Sequence, residues 1–167
     1  CLLFTLLCIA VQVAAYSSRF FTFTWGVPLS LPACLALLSM LCDAGYAVSL
    51  ETSGALSTEG VDKRVVTVLD LKAPASAESS RNDYSNIQRL QSHDQVKFVL
   101  CNREDYEWAR FKLDELSLPG RVADVLFSPS HGELNGRDLA QWILEDNLPV
   151  RMQLQLHKYL WDDQPGH

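Results

Sequence analysis

Glu51, Asp70, Lys72, Ser128, Ser130, His157 and Lys158 share one circumstance. Each stands at the end of, or just past, an apolar, largely β-branched run. The Glu51 carboxylate, in Leu50-Glu51-Thr52-Ser53-Gly54, can accept from a ligand amine or do acid/base work. The competing reading is a carboxylate that caps the next turn through Thr52 and Ser53, and Gly54 lets the backbone turn or approach a ligand closely. Asp70 and Lys72 are two apart on a strand and point to one face, so an ion pair and a ligand contact are both open. Ser128-Pro129-Ser130-His131-Gly132 is rich in hydroxyls and turn formers. A serine–histidine nucleophile needs a geometry that nothing here specifies, and no GxSxG elbow occurs, so hydroxyls contacting a polar small molecule are the better reading. Gln153, Gln155 and His157 alternate with Met152, Leu154 and Leu156. That alternation predicts a strand with a polar face, costly in a parallel sheet unless it lines a cavity. It makes Gln155, His157 and Lys158 candidates for the site, against the alternative of a satisfied core histidine.

The elements that must position these residues follow from periodicity. Strands are expected over 20–24, 46–51, 65–71, 95–100, 121–127 and 150–156. Helical segments are expected over 33–43, 83–91, 104–117 and 136–146, with a short helical turn near 58–62. Pro32 opens the first helix and Gly45 supplies a left-handed cap after it. Asn102 can cap the helix that begins Arg103-Glu104-Asp105, whose acids suit the positive end of its dipole. Gly136 and Asp138 open another helix, and Pro149 follows its end. In such an alternating chain the strands run parallel, so the polar clusters fall on one edge of the sheet, where α/β folds bind ligands.

At 167 residues the chain is long enough for one domain with a real core. Its net charge is −6 and its basic residues are scattered, so a nucleic-acid partner is not expected. The five cysteines, Cys1, Cys8, Cys34, Cys42 and Cys101, match no zinc pattern and no CxxC. Their number and placement suggest free thiols in a reducing compartment, hence the cytoplasm. Residues 1–15 are expected to form an apolar helix packing on the domain that follows over 16–167, with a signal peptide or anchor as the alternative. No membrane partner is expected for the domain itself.

Taken together, several stretches resemble the 7-carboxy-7-deazaguanine synthases, radical S-adenosylmethionine enzymes of queuosine biosynthesis. They are Leu41-Cys42-Asp43-Ala44-Gly45-Tyr46, Leu50-Glu51-Thr52-Ser53-Gly54, Asp70-Leu71-Lys72-Ala73-Pro74, Asp94-Gln95-Val96-Lys97-Phe98-Val99, Phe127-Ser128-Pro129-Ser130-His131 and Leu148-Pro149-Val150-Arg151-Met152-Gln153-Leu154-Gln155-Leu156-His157-Lys158 continuing to Trp161. The resemblance runs from about Gln12 to the C-terminus. It implies an incomplete (βα) barrel of about six mostly parallel strands. It implies a carbon–nitrogen lyase reaction, the ring contraction of 6-carboxy-5,6,7,8-tetrahydropterin to 7-carboxy-7-deazaguanine with loss of ammonia. The cofactors implied are S-adenosylmethionine, a [4Fe-4S] cluster and magnesium, and the assembly implied is a homodimer. By the same resemblance Thr24, His157 and Lys158 contact substrate, and Glu51 is the catalytic candidate. Gly26, Ser53, Lys72, Ser128 and Ser130 lie toward S-adenosylmethionine.

The chain also departs from the family. CxxxCxxC, the cluster motif, does not occur in these residues, and Cys1 and Cys8 have the wrong spacing to replace it. The family's Gly-Gly-Glu-Pro reads Trp25-Gly26-Val27-Pro28, with bulk where a ligand approaches and no acceptor at Val27. The expectation is the C-terminal part of such an enzyme with an altered start. The alternative is a noncatalytic remnant or small-molecule-binding α/β module.

Overall fold

A computed structural model describes residues 19–24, 29 and 32–161 of the chain. The expected helix over 1–15 and the candidate Gly26 lie outside the described residues. Six strands form a single sheet: β1 (Phe20–Thr24), β2 (Ala47–Thr52), β3 (Val66–Lys72), β4 (Gln95–Leu100), β5 (Asp124–Pro129) and β6 (Arg151–Met152). They follow one another in sequence order, and every neighbouring pair is parallel. Parallel neighbours in unbroken order require crossovers of one hand, which put the connecting segments on one side. The other side is left open, as in a barrel that does not close.

The sequence supports this division residue by residue. Along β3, Thr67, Leu69 and Leu71 are buried, while Val66, Val68, Asp70 and Lys72 between them are only partly so. β4 repeats the pattern, with Val96, Phe98 and Leu100 buried. The buried set meets helices α1 (Pro32–Asp43), α2 (Arg103–Glu115) and α3 (Gly136–Glu145). Leu37, Leu38 and Leu41 of α1 join Phe21, Val48 and Leu50 in one apolar cluster. Tyr106, Ala109 and Leu113 of α2 and Leu139 and Ile143 of α3 join Phe98 and Phe127 in a second. There Phe127 receives Phe98 and Tyr106 edge to face, at 5.6 and 6.0 Å between ring centroids.

Most expected boundaries appear. Asn102 Oδ1 accepts from the Asp105 N–H at 2.9 Å and caps α2. Gly45 adopts φ +86° after α1, with the Tyr46 N–H closing on the Leu41 carbonyl at 3.1 Å. Three expectations are corrected. Residues 58–62 form turns rather than a helix, because Asp62 takes the Arg64 N–H on its side chain and Gly60 sits at φ +84°. The helix expected over 83–91 is a 3-10 helix, Tyr84–Arg89, whose Asn86 side chain is committed to Thr58, Gly54 and Leu56. The strand expected over 150–156 pairs only through Arg151 and Met152. The Gln153 N–H still reaches the Phe127 carbonyl at 2.9 Å, and the chain then leaves the sheet for helix α4 (Leu156–Trp161). Among the described residues no helix is long and apolar enough to cross a membrane.

Candidate functional site on the open face of the sheet

Parallel pairing aligns residues far apart in sequence into rows across the open face. Thr24 stands beside Glu51, Glu51 beside Val68, and Val68 beside Gln95. In the next row Asp70 stands beside Lys97, and Lys97 beside Leu126; then Lys72 beside Val99, and Val99 beside Ser128. Neighbouring strands are about 4.8 Å apart, so each row forms one patch of chemistry. Where β1, β2 and β3 end, the surface dips into a cleft of about 180 Å³ lined by Thr24, Glu51, Thr52, Ser53, Val68, Asp70 and Lys72.

The charges in this cleft are only partly satisfied. Lys72 Nζ donates to Asp70 Oδ2 at 2.7 Å, so the ion pair, one of the two readings open for this strand, forms. Asp70 Oδ1, however, is buried without a hydrogen-bond partner. The end of β3 is held by Asn82, which accepts from the Lys72 N–H and donates to the Lys72 carbonyl, both at 2.9 Å. Glu51 is half-buried and does not act as the turn cap, since the Gly54 N–H turns to Thr52 Oγ1 at 3.4 Å. Gly54 itself has φ +70°, and a Cβ there would meet Leu69 Cδ1 at 3.1 Å. Both a turn and a close approach therefore require glycine.

Further along the edge, Ser128 Oγ is fully buried and lacks a partner. Ser130 donates to Glu133 Oε2 at 2.6 Å and is thereby occupied. The Cys101 thiol also engages Glu133; burial first, and that carboxylate second, push it up to about 11. The same two donors, Cys101 ahead of Ser130, hold Glu133 below its ordinary value. This cluster is a closed hydrogen-bonded corner with no activated nucleophile.

The structure thus brings Thr24, Glu51, Ser53 and Lys72 together and places Ser128 on the same face. It does not put His157 and Lys158 at a strand end: both lie on α4, because β6 stops after Met152. Three participants escaped the reading of the sequence. Asn82 and the buried Asp105, which accepts from the Cys101 and Ala75 N–H groups, brace the strand ends, and the contacts to Lys72 and Ala75 reach 10 and 30 residues along the chain. Lys97 did carry a signal, since Gln95 and Lys97 alternate with Val96, Phe98 and Leu100 in a strand buried on its other face. An iron–sulfur cluster or a metal does not fit the described residues. Cys34 is buried in α1, Cys42 lies near that helix's end and Cys101 beyond β4, and no group of three His, Cys, Asp or Glu converges.

No family model matches the chain. Among curated proteins, the 7-carboxy-7-deazaguanine synthase of Chlorobaculum tepidum is 38% identical over 154 residues, covering 90% of this chain and 70% of that protein. The Koribacter versatilis synthase is 39% identical over 136 residues, covering 74% of this chain and 60% of the relative. For the Leptospira interrogans synthase the identity is 37% over 122 residues, 70% of this chain and 50% of the relative. The chain therefore spans between half and 70% of these relatives' lengths. Among solved structures, Streptococcus suis SuiB bound to S-adenosylmethionine superposes with a TM-score of 0.58 at 11% identity, over 81% of this chain and 38% of SuiB. That likeness concerns the fold.

Proposed function

The chain belongs to the 7-carboxy-7-deazaguanine synthase family, and from that premise we propose that its open sheet edge binds the small molecules of that synthesis. One observation carries the reading. The cleft gathers the half-buried Glu51, the Asp70–Lys72 pair and an orphaned buried Asp70 oxygen on the face the helices leave uncovered. Buried polar atoms without partners are rare in folded proteins, and a polar ligand is the natural completion of such a site.

In this reading the substrate is 6-carboxy-5,6,7,8-tetrahydropterin and the reaction a carbon–nitrogen lyase ring contraction. Glu51 holds or moves a proton at the substrate, and Thr24 orients it from the neighbouring strand. Ser53, Lys72 and Ser128 face S-adenosylmethionine, which supplies the radical chemistry when activated. Gly26 and Ser130 extend that contact, while His157 and Lys158 approach the substrate from α4. The described residues do not fit a cluster, and the part of this chain in the reaction is the positioning of ligands. A homodimer in the cytoplasm completes the proposal.

A second reading, a binding module without turnover, is favoured by Trp25 and Val27 in place of the family's glycine and glutamate. Calorimetry on the full chain tests both. Micromolar S-adenosylmethionine binding that weakens at least about tenfold in Lys72→Met supports the first reading, that being the scale of one lost hydrogen bond to a charged group. Absence of S-adenosylmethionine binding leaves the second, and absence of pterin binding as well removes both.

A further inference from the structure

Lys97, between Asp70 and Leu126 in their row, is a charged residue that does not line the cleft. It projects from the middle of β4 to the open face, half-buried, between Asp70 on β3 and Leu126 on β5. Asp70 does not satisfy it, because Oδ2 is taken by Lys72 at 2.7 Å and Oδ1 has no hydrogen-bond partner among the described residues. Leu126, 1% exposed, offers no acceptor on the other side. No described residue accepts a hydrogen bond from the Lys97 ammonium. Two residues farther along the strand, across from Val99, the buried hydroxyl of Ser128 is likewise unpartnered. Three adjacent strands thus present a donor, an acceptor and a hydroxyl that pair with none of the described residues. A half-buried ammonium with no acceptor is unfavourable, and it gains most from an anion delivered by a ligand.

We propose that Lys97 binds the carboxylate of the deazaguanine acid, while Asp70 Oδ1 accepts from a ring N–H of the same molecule. The inference rests on the functional reading above and adds the residue that tells a carboxylated ring from one lacking the group. The two contacts are complementary in sign: the ligand's anion meets the free ammonium, and its N–H donors meet the free carboxylate oxygen. A ring without the carboxylate leaves Lys97 as it stands now and forgoes a charge-assisted hydrogen bond.

The test uses the full chain and two probes, 7-carboxy-7-deazaguanine and 7-deazaguanine, titrated by calorimetry into wild type, Lys97→Met and Lys97→Arg. Wild type is expected to prefer the carboxylated ring by at least about tenfold, the scale of one hydrogen bond to a charged group. Lys97→Met is expected to lose that preference while its affinity for 7-deazaguanine is unchanged, and Lys97→Arg to keep most of it. Unliganded Lys97→Met is expected to melt no lower than wild type, since the lysine has no internal partner to lose. An unchanged preference in Lys97→Met, or a clearly lowered melting temperature, overturns the assignment and leaves the functional reading standing. Wild type that binds both rings equally does the same. Wild type that binds neither ring removes the functional reading, and this inference with it.

Discussion

Cys101 shows how much a residue's surroundings decide its chemistry. A thiol at a strand end beside a serine and a glutamate has the look of a reactive group. Burial and the Glu133 carboxylate instead push it up to about 11, so it stays protonated across the ordinary pH range. Cys101 is therefore expected to alkylate with iodoacetamide at pH 8 at least about tenfold more slowly than in the urea-unfolded chain, because only the thiolate reacts. Glu133→Gln removes the cause that ranks next after burial and is expected to speed the labelling modestly. Mass spectrometry of the Cys101 peptide reads both rates. Alkylation at the unfolded rate in the native chain contradicts the account. Residue identity was legible at Asp70 and Lys72, where a spacing of two on a strand sufficed to place both on one face. It was not legible at Asp105 or Asn82, whose partners are the backbone groups of Ala75 and Lys72, distant in sequence.

The elements were read best where their burial was two-sided in character. β4 appears at its expected bounds, Gln95–Leu100, because the helices press on one face and solvent reaches the other. β6 was misread for a complementary reason. The alternation over 152–157 describes a strand, but an edge strand lasts only as long as its neighbour pairs with it, and β5 offers register at Leu126 and Phe127 alone. The spacing of Leu156 and Leu160 is equally that of one helical face, which is the form taken. Two expected outcomes belong to this scale. Asn82→Ala removes both bonds that fasten the Lys72 backbone, and is expected to cost about 1–3 kcal/mol in urea unfolding. It should also speed hydrogen exchange near the end of β3, and unchanged exchange there counts against the clasp. The second concerns α2 and α3, tied where Asp146 Oδ2 accepts from Tyr106 Oη at 2.6 Å and from Arg110 Nη1 at 2.9 Å. Tyr106, ahead of Arg110, holds Asp146 below its ordinary value of 3.8. A carboxylate with a lowered folded value contributes stability above its unfolded value and loses it as pH falls through the folded one. Asp146→Asn is thus expected to be less stable than wild type at neutral pH, with the difference shrinking well below pH 3.8. A difference constant across that range refutes the tie.

At the scale of the whole molecule, the alternating βα order is legible in the sequence, since apolar runs punctuated by helical periods admit few other arrangements. An incomplete barrel of about six strands was legible as well, and with it an unprotected sheet edge. Among the described residues β1 pairs only with β2, and Phe20 on it is 74% exposed. A strand edge of this kind invites pairing with another chain. The sedimentation coefficient is expected to rise with protein concentration, and Phe20→Lys to suppress the rise by placing a charge on the outer strand. A concentration-independent value for the parent chain rules this out.

The sheet's order carries a consequence for biosynthesis. Because each strand from β2 to β6 pairs with the one made just before it, none of the described strands has to be wedged between two earlier ones. Among the described residues, each strand thus emerges after the neighbour it pairs with. The ligand edge matures in the same direction: the cleft walls of β1, β2 and β3 stand first, Lys97 follows with β4, and Ser128 arrives with β5. The four residues Glu51, Asp70, Lys72 and Lys97 thus come from three strands made one after another.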